Sequence, residues 1–175
     1  MQHLMYILSF VILLGCNNNE TKKNDLIQTH NQPDSAEIYL SKYLSEADSI
    51  ILVSRSGRTK EAVYADPTAN GIPIVKNGQL NVELIKTKVN VVGNSLNTLI
   101  KILTRSCEDI GPLKCGGFNP HYSILILKNK QYSYIDLCFN CEEHGTSKDL
   151  YLLTFDNRKY QELLSFFIKE GSRPN

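Results

Sequence analysis

The sequence lacks a charge excess of either sign. Its 175 residues contain 19 Lys and Arg against 18 Asp and Glu, which leaves a formal net charge of +1. A protein that binds nucleic acid through phosphate contacts needs a basic excess, so the balance argues against nucleic acid as a partner. With 42% hydrophobic and 21% charged residues, the chain has the composition of one ordinary globular domain.

The sequence also lacks the short motifs that mark common enzymes. It has no P-loop, no Gly-x-Gly-x-x-Gly and no His-Glu-x-x-His, the patterns that hold phosphates or catalytic zinc on a helix. We therefore expect a non-enzymatic protein, although a cluster of Cys and His residues keeps enzymatic alternatives open.

No apolar run is long enough to span a bilayer. Residues 4–14 form an apolar run that only Ser9 interrupts. As a helix this run would rise about 16 Å, against roughly 30 Å of bilayer hydrocarbon. The length is typical of the hydrophobic region of a secretory signal peptide, so we interpret residues 1–15 as a signal peptide.

The run ends in Leu13, Leu14, Gly15 and Cys16, a tetrapeptide that resembles the bacterial lipobox. The resemblance implies diacylglycerol transfer to the Cys16 thiol, cleavage after Gly15 and acylation of the new amino group. Two or more acyl chains, palmitate among them, anchor a protein stably to a lipid bilayer. We predict a lipoprotein of the bacterial cell envelope that is anchored to a membrane on its periplasmic side or at the outer surface.

The segment after Cys16 is polar and rich in Asn. We interpret residues 16–33 as the lipidated cysteine and a flexible tether that spans roughly 20–25 Å. The folded part then comprises residues 34–175 as one domain.

Helical and strand patterns alternate irregularly along this domain. Apolar residues predict a first helix around residues 36–47, a second that Asn94 or Ser95 caps, and a last one that Asp156 caps and Gly171 ends. Residues 122–128 and 132–139 flank a short polar turn, which predicts a hairpin. Further strands are predicted at residues 49–54, 61–65 and 150–155. Residues 80–92 are predicted to form one strand or a bent pair, and residues 67–78 a loop. The pattern predicts an α+β domain with an antiparallel sheet and helices packed mainly on one face.

Four cysteines remain once Cys16 is assigned to the lipid, namely Cys107, Cys115, Cys138 and Cys141. An exported domain meets an oxidising compartment, where an even number of cysteines favours disulfides, and four cysteines allow three pairings. Residues i and i+3 point to opposite faces of a straight strand, so a Cys138–Cys141 bond requires the chain to turn near Asn140.

The same region allows two further chemistries. Cys115, His121, Cys138, Cys141 and His144 have ligand-like spacings, and Zn²⁺ prefers such a nitrogen and sulfur set. Zinc is the one cofactor that the residues suggest. The Cys-x-x-Cys pair also permits thiol redox chemistry, although neighbouring carboxylates disfavour a reactive thiolate. Cys115 with His121 permits nucleophilic catalysis.

Two surface features have ordinary explanations. Residues 54–58 with Lys60 form a small basic cluster, which we interpret as a solvated loop in preference to an anion site. Tyr122, Tyr132 and Tyr134 are explained by cross-strand packing on the hairpin, although an exposed trio would mark a partner surface.

From Cys115 onward, the chain resembles a group of small uncharacterised lipoproteins of Bacteroidota-type bacteria. The shared features are Cys115 a few residues before Pro120 and His121, an apolar hairpin, the Cys138-x-x-Cys141 pair and a terminal amphipathic helix. The resemblance implies an envelope lipoprotein and carries no activity. We therefore predict a binding or interaction protein that contacts another envelope protein, in one version an inhibitor or immunity protein. The alternative is a small zinc-binding or thiol-redox protein that uses the cluster of residues 115–144.

Overall fold

The computed structural model describes residues 35–58, 71–76, 78–107 and 118–172. The predicted signal peptide, the tether with Cys16, the predicted strand at residues 61–65 and Cys115 lie outside these residues. Within them the chain is a mixed α+β domain with three α-helices, a five-stranded antiparallel sheet and a two-stranded sheet, as the sequence pattern predicted.

The elements follow one another in an irregular order. The helices are α1 (Ser35–Ser45), α2 (Gly93–Thr104) and α3 (Asn157–Lys169). The strands are β1 (Ser49–Arg55), β2 (Val75–Lys76), β3 (Gln79–Leu80), β4 (Ile85–Asn90), β5 (Tyr122–Lys128), β6 (Gln131–Cys138) and β7 (Glu143–Thr146). The large sheet has the order β4-β1-β5-β6-β7, and β2 pairs with β3 in the small sheet. Among the described strands, β7 is therefore an edge strand.

Alternate residues of the large sheet enter two different hydrophobic clusters. Ile124 belongs to the first cluster and its neighbour Leu125 to the second, because successive side chains of a strand point to opposite faces. The first cluster combines sheet residues with the buried side chains of α1, α2 and α3, including Leu44, Leu99 and Phe167. The second cluster joins Val53 and Leu125 to Ile74 and Leu84.

The predicted hairpin is present as β5 and β6, with a tighter turn than the sequence indicated. Lys128 pairs directly with Gln131, so the turn has only two central residues, Asn129 and Lys130. Both have positive φ, 52° and 64°, which is the backbone of a type I′ turn. Asn tolerates this conformation well, whereas Lys carries a steric cost.

Lys130→Gly is expected to raise the free energy of unfolding by about 0.5–1 kcal/mol, because glycine relieves the left-handed strain by more than it adds entropy to the unfolded chain. Urea denaturation of the two proteins measures the difference. Lys130→Ala keeps a β-carbon at the same φ and is expected to give no gain. A loss of stability in the glycine variant would contradict this account of the turn.

The start of α2 differs from its prediction. The helix begins at Gly93 after Val92, and no side chain caps it, so the predicted cap at Asn94 or Ser95 is wrong. Gly93 has a φ of 56°, a conformation that glycine adopts without strain, and the chain therefore enters the helix earlier. Ser95 Oγ instead donates a hydrogen bond to Glu170 at 2.7 Å.

One strand prediction is also wrong. Residues 150–155 form no strand, because the chain there makes successive turns: Leu150 N–H bonds to the Ser147 carbonyl, and Leu153 N–H bonds to the Leu150 carbonyl. The region predicted as a loop contains the short strand β2. Residues 80–92, predicted as one strand or a bent pair, contain the end of β3, a 3₁₀ turn and β4.

Helix α3 begins and ends as predicted. The Asp156 side chain accepts a hydrogen bond from Lys159 N–H at 2.7 Å, and Gly171 has a φ of 86°. Gly171 N–H bonds to the Ile168 carbonyl, and the next N–H bonds to the Phe167 carbonyl, which is the Schellman end of a helix. In the second half of the helix, Phe166 and Phe167 are buried and Ile168 is exposed.

Candidate functional site

The Cys-x-x-Cys pair lies at the turn between β6 and β7. Cys138 and Cys141 are joined by a disulfide with a Cα–Cα distance of 5.4 Å. The chain turns between them, and Glu142 has a positive φ of 51°, so the turn that this pairing requires is present. Cys107 is half-buried and forms no disulfide with any described cysteine, while Cys115 lies outside the described residues.

The two histidines of the predicted cluster point to opposite faces of the sheet. Tyr122, Leu137 and His144 are paired across β5, β6 and β7 and therefore share a face. His121 precedes Tyr122 by one residue and lies against Gly57 on the other face.

The predicted zinc ligands are thus not brought together by the described part of the fold. The Cys138 and Cys141 sulfurs bond to each other, and the two imidazoles are separated by the sheet. In residues 35–58, 71–76, 78–107 and 118–172, no group of three His, Cys, Asp or Glu side chains is placed to hold a metal ion. The remaining predicted ligand, Cys115, lies outside these ranges.

A cleft of about 920 Å³ runs along β7. Side chains on both faces of this edge strand form its walls: Pro73 and Phe118 on one face, and Leu153 and Phe155 on the other. Among its described lining residues are four carboxylates and no Lys or Arg: Asp136, Glu142, Glu143 and Asp156. Asp136 and Asp156 are paired with Arg55 and Arg105, so the cleft combines apolar walls with the acidic side chains of Glu142 and Glu143. We refer to it as the β7 cleft.

His144 forms part of the wall of the β7 cleft. Its ring stacks on Phe155 with centroids 4.0 Å apart, and its Nδ1 lies 2.8 Å from the Tyr160 hydroxyl. Burial, with a smaller contribution from Lys159, lowers the pKa of His144 to about 4. Burial also raises the pKa of Tyr160 above its usual value. At neutral pH the imidazole is therefore uncharged and the phenol protonated.

The low pKa of His144 predicts a pH-dependent stability. The unfolded chain has an ordinary His pKa near 6.5 and binds the proton more readily than the folded chain, whose His144 has a pKa of about 4. Stability is therefore expected to fall as the pH drops from about 6.5 to about 4, by about 1–3 kcal/mol, and to level off below that range. Denaturation at several pH values measures this slope.

His144→Gln is the matched variant, because its amide still reaches Tyr160 and does not titrate. The slope between pH 6.5 and 4 is expected to shrink in this variant. Partial burial also lowers the pKa of His121, but much of this side chain is exposed. His121→Gln is therefore expected to change the slope less. An NMR titration midpoint of His144 near 6.5 would refute the prediction.

A buried ion pair lies behind the cleft. Arg55 Nη1 lies 2.8 Å from Asp136 Oδ1, and the two residues are only 1% and 4% exposed. Ser123 Oγ donates to the same carboxylate, and Arg55 Nη2 donates to the Ile72 carbonyl. Burial raises the pKa of Asp136, while Arg55 and Ser123 oppose that shift. The interpretation of residues 54–58 as a solvated loop is therefore wrong for Arg55.

A signal for this pair existed in the sequence. Asp136 lies in the middle of an apolar strand, between Ile135 and Leu137, and a buried carboxylate requires a cationic or hydrogen-bonding partner. The sequence does not identify that partner, because Arg55 lies on a different strand.

The three tyrosines of the hairpin do not form one surface. Tyr122 belongs to the first cluster, where its ring lies 4.9 Å from Phe139 and 5.2 Å from Phe167. Tyr132 and Tyr134 pack against the second cluster. Of the three, only Tyr134 lines the β7 cleft.

The described lining of the cleft has hydroxyl groups on Thr146, Thr154 and Tyr160. No Ser, Cys or Lys occurs among the described lining residues. The group that His144 does contact is a phenol with a raised pKa, which is a weak nucleophile at neutral pH.

Comparison with known proteins gives no family: no family model, no curated protein and no solved structure matches the chain. None of the helices in the described residues has the length and apolar character needed to cross a bilayer.

Proposed function

We propose that the chain is an exported, lipid-anchored domain of the bacterial cell envelope that binds another envelope protein and has no enzymatic activity. The observation that carries the binding role is the β7 cleft, which has apolar walls and, among its described residues, no Ser, Cys or Lys. The anchor rests on the resemblance of residues 13–16 to a lipobox. An inhibitor or immunity protein is one form that such a binding protein takes.

Lipid anchoring is tested by metabolic labelling with an alkynyl fatty acid. The wild-type protein is expected to carry the label and to fractionate with membranes, whereas Cys16→Ser is expected to lose the label and become soluble. Equal labelling of both proteins, or labelling of neither, would overturn the anchoring part of the proposal.

The binding role is tested by photo-crosslinking in intact cells. A benzoylphenylalanine residue at position 154 replaces an exposed threonine that lines the β7 cleft, and one at position 92 replaces Val92, which is 71% exposed and does not line the cleft. A discrete protein adduct is expected from position 154 alone. Adducts of equal yield from both positions, or none from position 154, would contradict a binding role for the cleft.

A thiol-redox function is the second candidate, and the Cys138–Cys141 disulfide favours it. Against it, Cys138 is 5% exposed, and a β-strand follows Cys141 in place of the helix that activates such thiols. Intact mass before and after glutathione equilibration distinguishes a structural disulfide from a redox-active one. A structural disulfide is expected to stay oxidised, whereas a redox-active pair exchanges readily.

A further inference from the structure

The backbone of β7 has a defined outer edge. On one side of β6, the Leu137 carbonyl accepts a hydrogen bond from His121 N–H at 3.2 Å, and on the other side the Tyr134 carbonyl accepts one from Ser147 N–H at 3.0 Å. Backbone groups alternate in direction along an antiparallel strand. Consequently Gly145 and Glu143, which pair with residues 136 and 138, direct their N–H and C=O groups towards β6.

It follows that the N–H and C=O groups of His144 and Thr146 point away from β6. In the part of the chain that the structure describes, no strand pairs with this side of β7, and no hydrogen bond satisfies these groups. The strand is half-exposed and contains neither Pro nor Lys, two residues with which proteins commonly block an edge. An open edge of this kind can accept a further β-strand.

The walls of the β7 cleft fit the side chains of such a strand. An added strand would lie about 4.8 Å from β7, and its side chains would point alternately to the two faces of the sheet. One face offers Phe118, whose ring packs against Gly145, and the other offers Phe155 and Tyr160. Both sets of side chains would therefore meet apolar walls.

The acidic side chains of the cleft indicate which kind of segment it binds. The carboxylates of Glu142 and Glu143 line the cleft at the entry to β7, whereas Asp136 and Asp156 are paired with Arg55 and Arg105. A segment that carries Lys or Arg beside its β-forming residues complements this charge. We propose that β7 binds an extended, cationic segment of a partner protein as an added β-strand. This proposal rests on the proposed function, because it specifies what the β7 cleft binds.

The test uses the full exported chain with Cys16→Ser and two blocked peptide probes. The first probe is Lys-Arg-Val-Thr-Val-Thr-Arg-Lys, and the second has Glu at its four basic positions. Isothermal titration at low salt is expected to show binding of the basic peptide and at least about tenfold weaker binding of the acidic one. Amide NMR shifts are expected to be largest at His144 and Thr146.

Thr146→Pro tests the backbone contact directly. The Thr146 N–H points outward, so proline is expected to leave the pairing of β6 with β7 intact, as proline is tolerated on edge strands. The variant is expected to bind the basic peptide about tenfold more weakly. Thr146→Val keeps the N–H and is the matched control, with an affinity expected within about twofold of the wild type. Glu143→Gln is expected to weaken binding and to reduce its salt dependence.

The outcomes separate this proposal from the proposed function. Failure of the basic peptide to bind would overturn strand addition, as would equal affinities of the Thr146→Pro and Thr146→Val proteins when thermal melts show both to be folded. In either case an adduct from position 154 in cells leaves the binding role standing. Loss of that adduct, in contrast, removes the binding role even where the peptide binds in vitro.

Discussion

Asp136→Ala is expected to lower the free energy of unfolding by about 3–5 kcal/mol, one of the two largest effects in this domain. The substitution leaves the Arg55 guanidinium, which is 1% exposed, without the carboxylate that lies 2.8 Å from it. It also removes the acceptor of the Ser123 hydroxyl. A buried charge without a partner costs much more than the pair contributes, so the variant is expected to be close to unfolding. Urea denaturation monitored by circular dichroism measures the loss.

Two further variants determine whether the loss arises from the orphaned charge. Arg55→Met combined with Asp136→Leu replaces both partners by apolar side chains of similar volume and is expected to recover most of the stability. Glu83→Ala removes an exposed carboxylate and is expected to change stability by less than about 0.5 kcal/mol. A loss in the double variant as large as that of Asp136→Ala would show that the orphaned charge is not the cause.

The predictable parts of the fold are those in which local signals agree. The β5–β6 hairpin could be predicted because two apolar segments flank a short polar turn. Helix α3 could be predicted because Asp156 marks its start and Gly171 its end. Strand β7 could not be predicted from the sequence, because its residues Glu-His-Gly-Thr show no alternation of apolar and polar side chains. Its position is set by pairing with β6 after the turn at Cys138 and Cys141.

The candidate site was harder to predict than the fold. The sequence places the Cys and His residues near one another along the chain, yet a one-residue offset on paired strands puts His121 and His144 on opposite faces. The pairing of Cys138 with Cys141 requires a turn between them, and the structure contains this turn. The β7 cleft depends on distant segments, since Pro73, Phe118 and Phe155 meet only after folding.

Buried Lys and Arg side chains are a second feature that the sequence composition does not predict. Lys and Arg are almost always exposed, so a sequence pattern assigns them to the surface unless a partner is known. Arg55 and Lys159 are nevertheless among the most completely buried side chains of the described residues. Asp136, the partner of Arg55, and Leu103 and Arg105, two of the partners of Lys159, lie far along the chain.

Lys159→Met is expected to lower the free energy of unfolding by about 2–4 kcal/mol. The Lys159 ammonium donates hydrogen bonds to the carbonyls of Leu103, Arg105 and Thr154, at 3.1, 2.8 and 2.6 Å. Two of these carbonyls lie at the C-terminal end of α2, where the last carbonyls have no partner within the helix and a positive charge is favourable. Methionine keeps much of the side-chain length and leaves all three carbonyls without this donor.

The control for this prediction is Lys169→Met, which removes an exposed ammonium from the last turn of α3 and is expected to change stability by less than about 0.5 kcal/mol. Native-state hydrogen exchange gives a second measurement, because the loss of the Lys159 contacts is expected to speed exchange at the C-terminal turn of α2 before it affects the β5–β6 hairpin. Burial, together with Arg105, lowers the pKa of Lys159, while Cys107 and Asp156 oppose that shift. Equal stability of the two methionine variants would mean that these carbonyls find other donors when the ammonium is lost.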